Sequence, residues 1–297
     1  MQSVADTMLR MAKTVRTKPP HRKVAVITRT RERPLLLQRA KHSIAGQNFQ
    51  DFLWVIVNDG DAPEPVEVAA AEARREGCEV LTRHLPRRSG MEFASNHGIR
   101  SSRSEFIAIH DDDDTWHPDF LAMLVEALEK RPDWLGAASR VEQVTEHIED
   151  NRITEVDRVP FMPWIRAFYL IDMLQQNLFP PIALLFRRSL YDKLGGFDAE
   201  LPVLGDWDFH LRMLQAGEIG LIDQTLAYYH LRQEGSQGNT ITDKLFLHAE
   251  TDALIRNHWL RRDLKVGRFG LGSLASLARQ HWAMWKLLYQ LTGRKDS

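Results

Sequence analysis

Phe106-Ile107-Ala108-Ile109-His110-Asp111-Asp112-Asp113-Asp114-Thr115-Trp116-His117-Pro118 is the stretch on which the fold turns. Phe106 to Ile109 has the β-branched and aromatic make-up of a buried strand. It stops at four consecutive carboxylates, and Pro118 then introduces a helix expected over Asp119 to Lys130. Two unit charges about 4 Å apart cost roughly 4 kcal/mol at an effective dielectric near 20. A chain folds around such repulsion when a cation offsets it or solvent screens it. Open α/β sheets bind ligands at the carboxyl ends of their strands, so the cluster stands where a metal and an anionic substrate belong. The plainer alternative is a solvated acidic turn, with Asp114 or Thr115 capping the next helix.

Upstream, Lys23 to Thr28 is a first strand, Arg29 to Pro34 a polar turn, and Leu35 to about Ala45 a helix. Leu53 to Asn58 is a second buried strand ending in Asp59-Gly60-Asp61. That succession is a βαβ unit and predicts a parallel sheet with a right-handed crossover. Val66 to Glu76 reads as a helix and Glu79 to Thr82 as a third strand. The basic loop Arg87-Arg88-Ser89-Gly90 then precedes a helix holding Ala94 to Gly98. Downstream, Trp134 to Val144 returns to the sheet. From Glu146 to Asn177 the pattern weakens while aromatics accumulate (Phe161, Trp164, Phe168, Tyr169). Pro180 to Phe186 is another strand, Ser189 to Leu194 a short helix and Gly195 to Asp198 a turn. Gly205-Asp206-Trp207-Asp208 opens an amphipathic helix through about Gln215. Ile219–Asp223 and Leu226–His230 are expected as two short strands, and the rest of the chain as mainly helical.

The chain has 297 residues, 43% of them hydrophobic, enough for a sizeable core. A net charge of −1 gives no global drive toward nucleic acid or lipid. Cys78 is the only cysteine, so no intrachain disulfide forms and a reducing cytoplasm is the simplest setting. Met1 to Lys23 is basic but lacks the apolar core of a signal peptide. No run of about 18 apolar residues is present to span a membrane.

Three separated motifs, in order, resemble the inverting glycosyltransferases of family 2, which have the GT-A fold: an α/β, Rossmann-like, mostly parallel sheet flanked by helices. The resemblance covers roughly residues 23–240, leaving an appendage at 1–22, with a short helix around Val4–Val15, and a helical extension at 241–297. The first motif is the pair of turns Thr28-Arg29-Thr30-Arg31-Glu32-Arg33-Pro34 and Val57-Asn58-Asp59-Gly60-Asp61. In that family these turns hold the base and ribose of a nucleotide, which implies base contacts for Thr30 and Asp59. Arg31 stands where the family commonly has a tyrosine. The second is Asp111-Asp112-Asp113, which matches the family's DxD element. The match implies that Asp113 binds Mn²⁺ or Mg²⁺, that Asp112 faces the ribose or a metal-bound water, and that Asp111 supports the site. The third is Leu194-Gly195-Gly196-Phe197-Asp198 with Gly205-Asp206-Trp207-Asp208-Phe209, which places Asp206 at the catalytic general base. Asp208 then serves the first turn of its helix. His230 stands near where related enzymes present a third metal ligand or phosphate contact, and Arg232 suits a diphosphate.

The implied activity is transfer of a sugar from a nucleoside diphosphate donor to a hydroxyl acceptor, a cell-surface glycan or its lipid-linked precursor, with residues 146–178 as the acceptor wall. Three rivals share parts of the pattern. Asp111-x-Asp113-x-Thr115 fits the nucleophile motif of DxDxT phosphohydrolases, but some eighty residues of βαβ precede it and His210 stands where a later acid is wanted. A nucleotidyltransferase wants a glycine-rich basic loop, and Arg29 to Arg33 has no glycine. A non-catalytic sugar-nucleotide binding module has no use for both Asp113 and Asp206. In the tail, Leu274, Leu277, Ala278, His281, Trp282, Trp285, Leu288 and Tyr289 recur at helical spacing beside Arg279, Lys286, Arg294 and Lys295. Such a face either rests on an anionic membrane surface or packs on the domain or a second subunit.

Overall fold

The computed structural model describes residues 21–60, 62–232 and 245–280. β1 (Val24–Thr30), α1 (Pro34–Ala45), β2 (Phe52–Asn58), α2 (Glu64–Arg75), β3 (Glu79–His84), α3 (Met91–Arg100) and β4 (Phe106–Ile109) follow one another. β1 pairs in parallel with β2 and β4, and β2 in parallel with β3. β1, β2 and β4 are covered on both faces, which is why they are unbroken apolar runs rather than alternating ones.

The second half adds β5 (Thr115–Trp116), α4 (Phe120–Lys130), β6 (Trp134–Glu149), β7 (Arg152–Phe161), α5 (Leu170–Gln175) and a 3₁₀ turn at Pro181–Ala183. β8 (Leu184–Arg187), α6 (Arg188–Leu194), α7 (Gly205–Ala216), β9 (Glu218–Arg232) and α8 (Leu245–Val266) complete it, with residues 271–280 also helical. The sheet runs β3-β2-β1-β4-β8-β6-β9-β5, with β7 on β6. β8 is antiparallel to both of its neighbours, while β6 and β9 are parallel. The expected α/β sheet is present, and the reversal at β8 makes it mixed.

Several elements differ from the sequence reading. The strand expected over Pro180 to Phe186 is a 3₁₀ turn at Pro181–Ala183 followed by β8, and β5 and α5 have no counterpart in that reading. β9 is one strand rather than two. Its pairing with β6 steps from Ser139–Ile222 to Arg140–Thr225, which leaves the exposed Asp223 and Gln224 looped out of register. Those polar residues imitate a break in a strand that in fact continues. The weakly patterned stretch after Glu146 begins with a hairpin, turned by Asp150 and Asn151 in the left-handed region. β7 is exposed along most of its length, so it has no apolar face for periodicity to report.

α8 docks on the domain. Arg256 stacks 4.8 Å from the Trp207 ring and donates to the carbonyls of Leu174 at 2.7 Å and Ala275 at 3.0 Å. Of the tail's apolar face, Ala278 is buried, Leu274 packs against the core and Leu277 is exposed. His281 onward lies outside the described residues, as does the helix expected at Val4–Val15. Among the described residues no helix is long and apolar enough to cross a membrane.

Candidate active site

β1 and β4 lie side by side with Ile27 opposite Ile109, so the residues just beyond them face one another. Arg29 donates through Nε and Nη2 to the two oxygens of Asp111, at 2.8 and 3.2 Å, and through Nη1 to Ser95 Oγ at 2.8 Å. Thr30 Oγ1 donates to Asp112 Oδ2 at 2.7 Å. Arg33 Nη1 reaches Asp112 at 3.3 Å and Asp113 at 3.1 Å. From β9, Arg232 bridges Asp113 Oδ2 at 2.5 Å and Glu146 Oε1 at 2.8 Å. Arg39 of α1 donates to the Asp113 carbonyl and, at 2.6 Å, to Glu146 Oε2. The positive charge that the acidic run demands is therefore present as four guanidiniums. Arg39 and Glu146 escaped the sequence reading, because a helical arginine and a strand glutamate carry no local signal of meeting an acidic turn.

These contacts divide the acids. Burial raises Asp111, and raises Asp112 to about 7, with the charge of Asp113 adding to it. Burial also pushes Asp114 well up. In Asp113 the same burial is overcome by Arg33 and Arg232, which hold it below the usual carboxylate range. Asp113 is thus the acid whose charge the surrounding guanidiniums favour most strongly. The turn is braced from beneath by His110, which burial lowers to about 3 and so keeps neutral. Its Nδ1–H donates to the Asp111 carbonyl at 2.9 Å, and Nε2 lies 3.2 Å from Ser43 Oγ.

His230 sits at the same edge. Its backbone N–H donates to Asp114 Oδ1 at 2.9 Å, Nδ1 meets Glu146 at 2.8 Å and Nε2 meets Thr115 Oγ1 at 2.9 Å. Among the described residues no three or more His, Cys, Asp or Glu side chains gather as a metal cage.

The nucleotide-side residues expected from sequence are set out along the ends of β1 and β2. Asp59 accepts the backbone N–H groups of Ser89 at 2.6 Å and Gly90 at 3.0 Å, which fastens the basic loop to the sheet edge. Gly60 is required there. Its φ is +80°, and a Cβ would stand 2.3 Å from the Arg87 backbone. Arg31 is half-buried and pairs with Glu32 at 3.2 Å. Thr30 is buried against Asp112.

Asp206 lies in the first turn of α7, entered through Leu204 in the left-handed region at φ 62°. Asn177 Nδ2 donates to Asp206 Oδ2 at 2.7 Å, and Asn177 Oδ1 accepts from Nδ1 of His210 at 3.0 Å. Burial lowers His210 to about 3, so this support is neutral. Burial raises Asp206, against the Trp207 amide and the Arg29 charge. Asp208, expected to serve the first turn of its helix, accepts from Arg212, which also donates to the carbonyls of Leu194 at 3.1 Å and Gly196 at 2.9 Å. The charges of Asp111, Glu92 and Asp206 all act on the Arg29 guanidinium, so the acidic turn and the start of α7 share one electrostatic neighbourhood. Glu92 was not singled out from sequence.

Comparison with known proteins gives the family and the fold. The sequence pattern of glycosyl transferase family 2 matches residues 24–195, more than half of the 297 residues. The uncharacterized glycosyltransferase YwdF of Bacillus subtilis is 27% identical over 191 residues, 64% of this chain and 67% of that protein. Among solved structures, S. aureus TarS 1-349 in complex with UDP-GlcNAc superposes with a TM-score of 0.59 at 16% identity, covering 77% of this chain and 65% of TarS. The mannosyltransferase PcManGT of Pyrobaculum calidifontis, in complex with GDP-Man and Mn2+, gives a TM-score of 0.55 at 18% identity over 97% of this chain and 85% of its own. The fold is that of the GT-A glycosyltransferases. On the family match over more than half of its length, the chain belongs to glycosyl transferase family 2 and is a sugar-transferring enzyme.

Proposed function

We propose that the chain moves a sugar from a nucleoside diphosphate donor to a hydroxyl of a glycan or lipid-linked acceptor in cell-surface glycan synthesis, by one displacement that inverts the anomeric centre. One relationship supports the reading: Arg29, forked on Asp111 of the acidic turn, lies within the electrostatic reach of Asp206 at the start of α7. A donor phosphate site and a general base are thereby neighbours. Asp206, its Oδ2 held by Asn177, takes the proton of the acceptor hydroxyl. The acceptor oxygen bonds to the sugar's C1, and the C1–O bond to phosphate breaks with its electron pair leaving on the diphosphate. Arg33 and Arg232 have the planar fork that suits phosphate oxygens.

A divalent cation fits the donor set. Asp113 is a hard oxygen ligand kept ionised, and Mn²⁺ or Mg²⁺ takes such ligands. Asp113 would hold it, with His230 as a second ligand through Nε2 in exchange for its contact with Thr115 Oγ1, and donor phosphates would supply oxygens that the protein does not. When bound, the cation neutralises charge on the departing diphosphate. Thr30, Arg31 and Asp59 form the base side and Asp112 the ribose side. The acceptor wall falls to residues 146–178, where Trp164 and Tyr169 are 66% and 61% exposed. Peripheral contact with the inner face of the membrane through the C-terminal helix suits a lipid-linked acceptor.

UDP-GlcNAc, GDP-mannose and related nucleotide sugars, screened by thermal denaturation with and without Mn²⁺, test this reading. A ligand at 100 times its Kd stabilises by about 2.7 kcal/mol. At least one donor should raise the melting temperature only with the metal present. No shift from any donor in either condition would contradict the reading.

A further inference from the structure

Glu146 is a carboxylate 3% exposed on β6, two residues from the buried Val144 on the same strand face. A lone charge in that place is costly, so its partners decide what it does there. The parallel register of β6 and β9 sets Glu146 opposite Arg232 and Val144 opposite His230. Arg232 Nη1 donates to Glu146 Oε1 at 2.8 Å. Oε2 meets Arg39 Nη1 at 2.6 Å and His230 Nδ1 at 2.8 Å.

These contacts settle where the imidazole carries its hydrogen. Guanidiniums can only donate, so both Glu146 oxygens are acceptors. In the neutral ring the nitrogen that meets Oε2 is therefore Nδ1–H, and Nε2 keeps its lone pair. Nε2 lies 2.9 Å from Thr115 Oγ1, a hydroxyl that can donate to that lone pair. Without the carboxylate, Nδ1 would still face Arg39 Nη1 at 3.3 Å, itself a donor. Nδ1 would then accept, and the hydrogen would move to Nε2. The other oxygen of Glu146 holds Arg232, whose Nη2 reaches Asp113 Oδ2 at 2.5 Å. One buried carboxylate thus sets both side chains that β9 brings to the acidic turn.

We propose that Glu146 is a positioning residue of the donor site, which holds His230 in the Nδ1–H form so that Nε2 is presented to the divalent cation, and holds Arg232 against Asp113. The proposal rests on the reading of His230 as a metal ligand. A histidine ligand donates its other ring N–H to a carboxylate or carbonyl, which fixes the ring and makes the ligating nitrogen more basic. Packing alone does not call for Glu146, since buried ion networks are often replaced by apolar residues without loss of stability.

The test is ¹⁵N NMR of the histidine rings in the full chain without metal, at pH 8.5, where histidine is ordinarily neutral. The His230 signals are those lost in His230→Gln. In the parent, Nδ1 should have the shift of a protonated nitrogen and Nε2 that of an unprotonated one. The two should exchange in Glu146→Ala, and Glu146→Asp should bring back the parent pattern. A parent ring in the Nε2–H form, or no exchange in Glu146→Ala, overturns the proposal. Mn²⁺ alone, titrated into the same samples, should broaden the His230 signals at about 10–100 times higher concentration in Glu146→Ala than in the parent. Equal broadening in the two also overturns it. Should Glu146→Ala fail to fold, Glu146→Gln, which keeps the shape without the charge, carries the Mn²⁺ comparison, and the parent spectrum still decides the tautomer. Mn²⁺ that leaves the parent's His230 signals untouched would instead overturn His230 as a ligand, while the metal-free spectra still decide whether Glu146 sets the ring.

Discussion

Arg29 and Asp111 meet as a two-pronged ion pair, at 2.8 and 3.2 Å, just past the ends of adjacent parallel strands. The guanidinium side chain is 10% exposed, so removing it leaves Asp111 buried without its partner. Breaking one side of a buried pair costs about 3–5 kcal/mol. Arg29→Met is expected to lose stability on that scale in urea denaturation, and Arg29→Lys, which keeps charge but not the fork, distinctly less. Equal losses from the two would show that charge without the fork contributes nothing at this position.

Gly205→Ala places a methyl group where Glu92 stands, 2.3 Å from its Cγ. Overpacking of this kind costs about 1–3 kcal/mol. Glu92→Ser alone removes the obstruction, so the double variant Gly205→Ala/Glu92→Ser is expected to be more stable than the sum of the single effects. Additive effects would mean that the two residues are not in contact.

His110 and His210 are both buried and lowered to about 3. In the unfolded chain a histidine titrates near 6.5. Between those values the unfolded chain binds more protons, so stability is complete above about pH 6.5 and falls as the pH drops toward 3. Each histidine contributes up to about 1.4 kcal/mol per pH unit within that window. Melting temperature should decline from pH 6.5 to 4.5, and His110→Gln should flatten the slope. A melting temperature indifferent to pH over that range would refute the buried neutral state.

Asp113→Ala should abolish the Mn²⁺-dependent stabilisation by a nucleotide sugar, and EDTA should do the same to the parent chain. Undiminished donor stabilisation in metal-free buffer would show that the guanidinium cluster of Arg33, Arg39 and Arg232 suffices for the diphosphate.

The parallel half of the fold was legible because β1, β2 and β4 are buried on both faces and end in polar turns that local composition marks plainly. β7 was not, since an exposed strand shows no apolar periodicity, and the looped-out Asp223 and Gln224 disguised β9. In the site, Asp113 and Asp206 stood out because acids at a strand end and at a helix start are locally conspicuous. Arg39, Glu146 and Glu92 look ordinary within their own helices and strand. Only the pairing of β6 with β9, which sets Glu146 opposite Arg232, the reach of Arg39 from α1, and the contact of α3 with the start of α7 bring them there. The repulsion in the Asp111–Asp114 run was read correctly as a demand for positive charge. Which cations the fold supplies was a matter of tertiary structure.

Asp206→Asn tests the central claim most directly, because it keeps the size of the side chain and removes the proton acceptor. With a donor that stabilises the chain, its affinity should stay at the parent value while the transfer rate falls by about 10²-fold or more, the usual scale of acid–base catalysis. A variant that binds donor and transfers sugar at nearly the parent rate would contradict the assignment of Asp206 and, with it, the proposed mechanism.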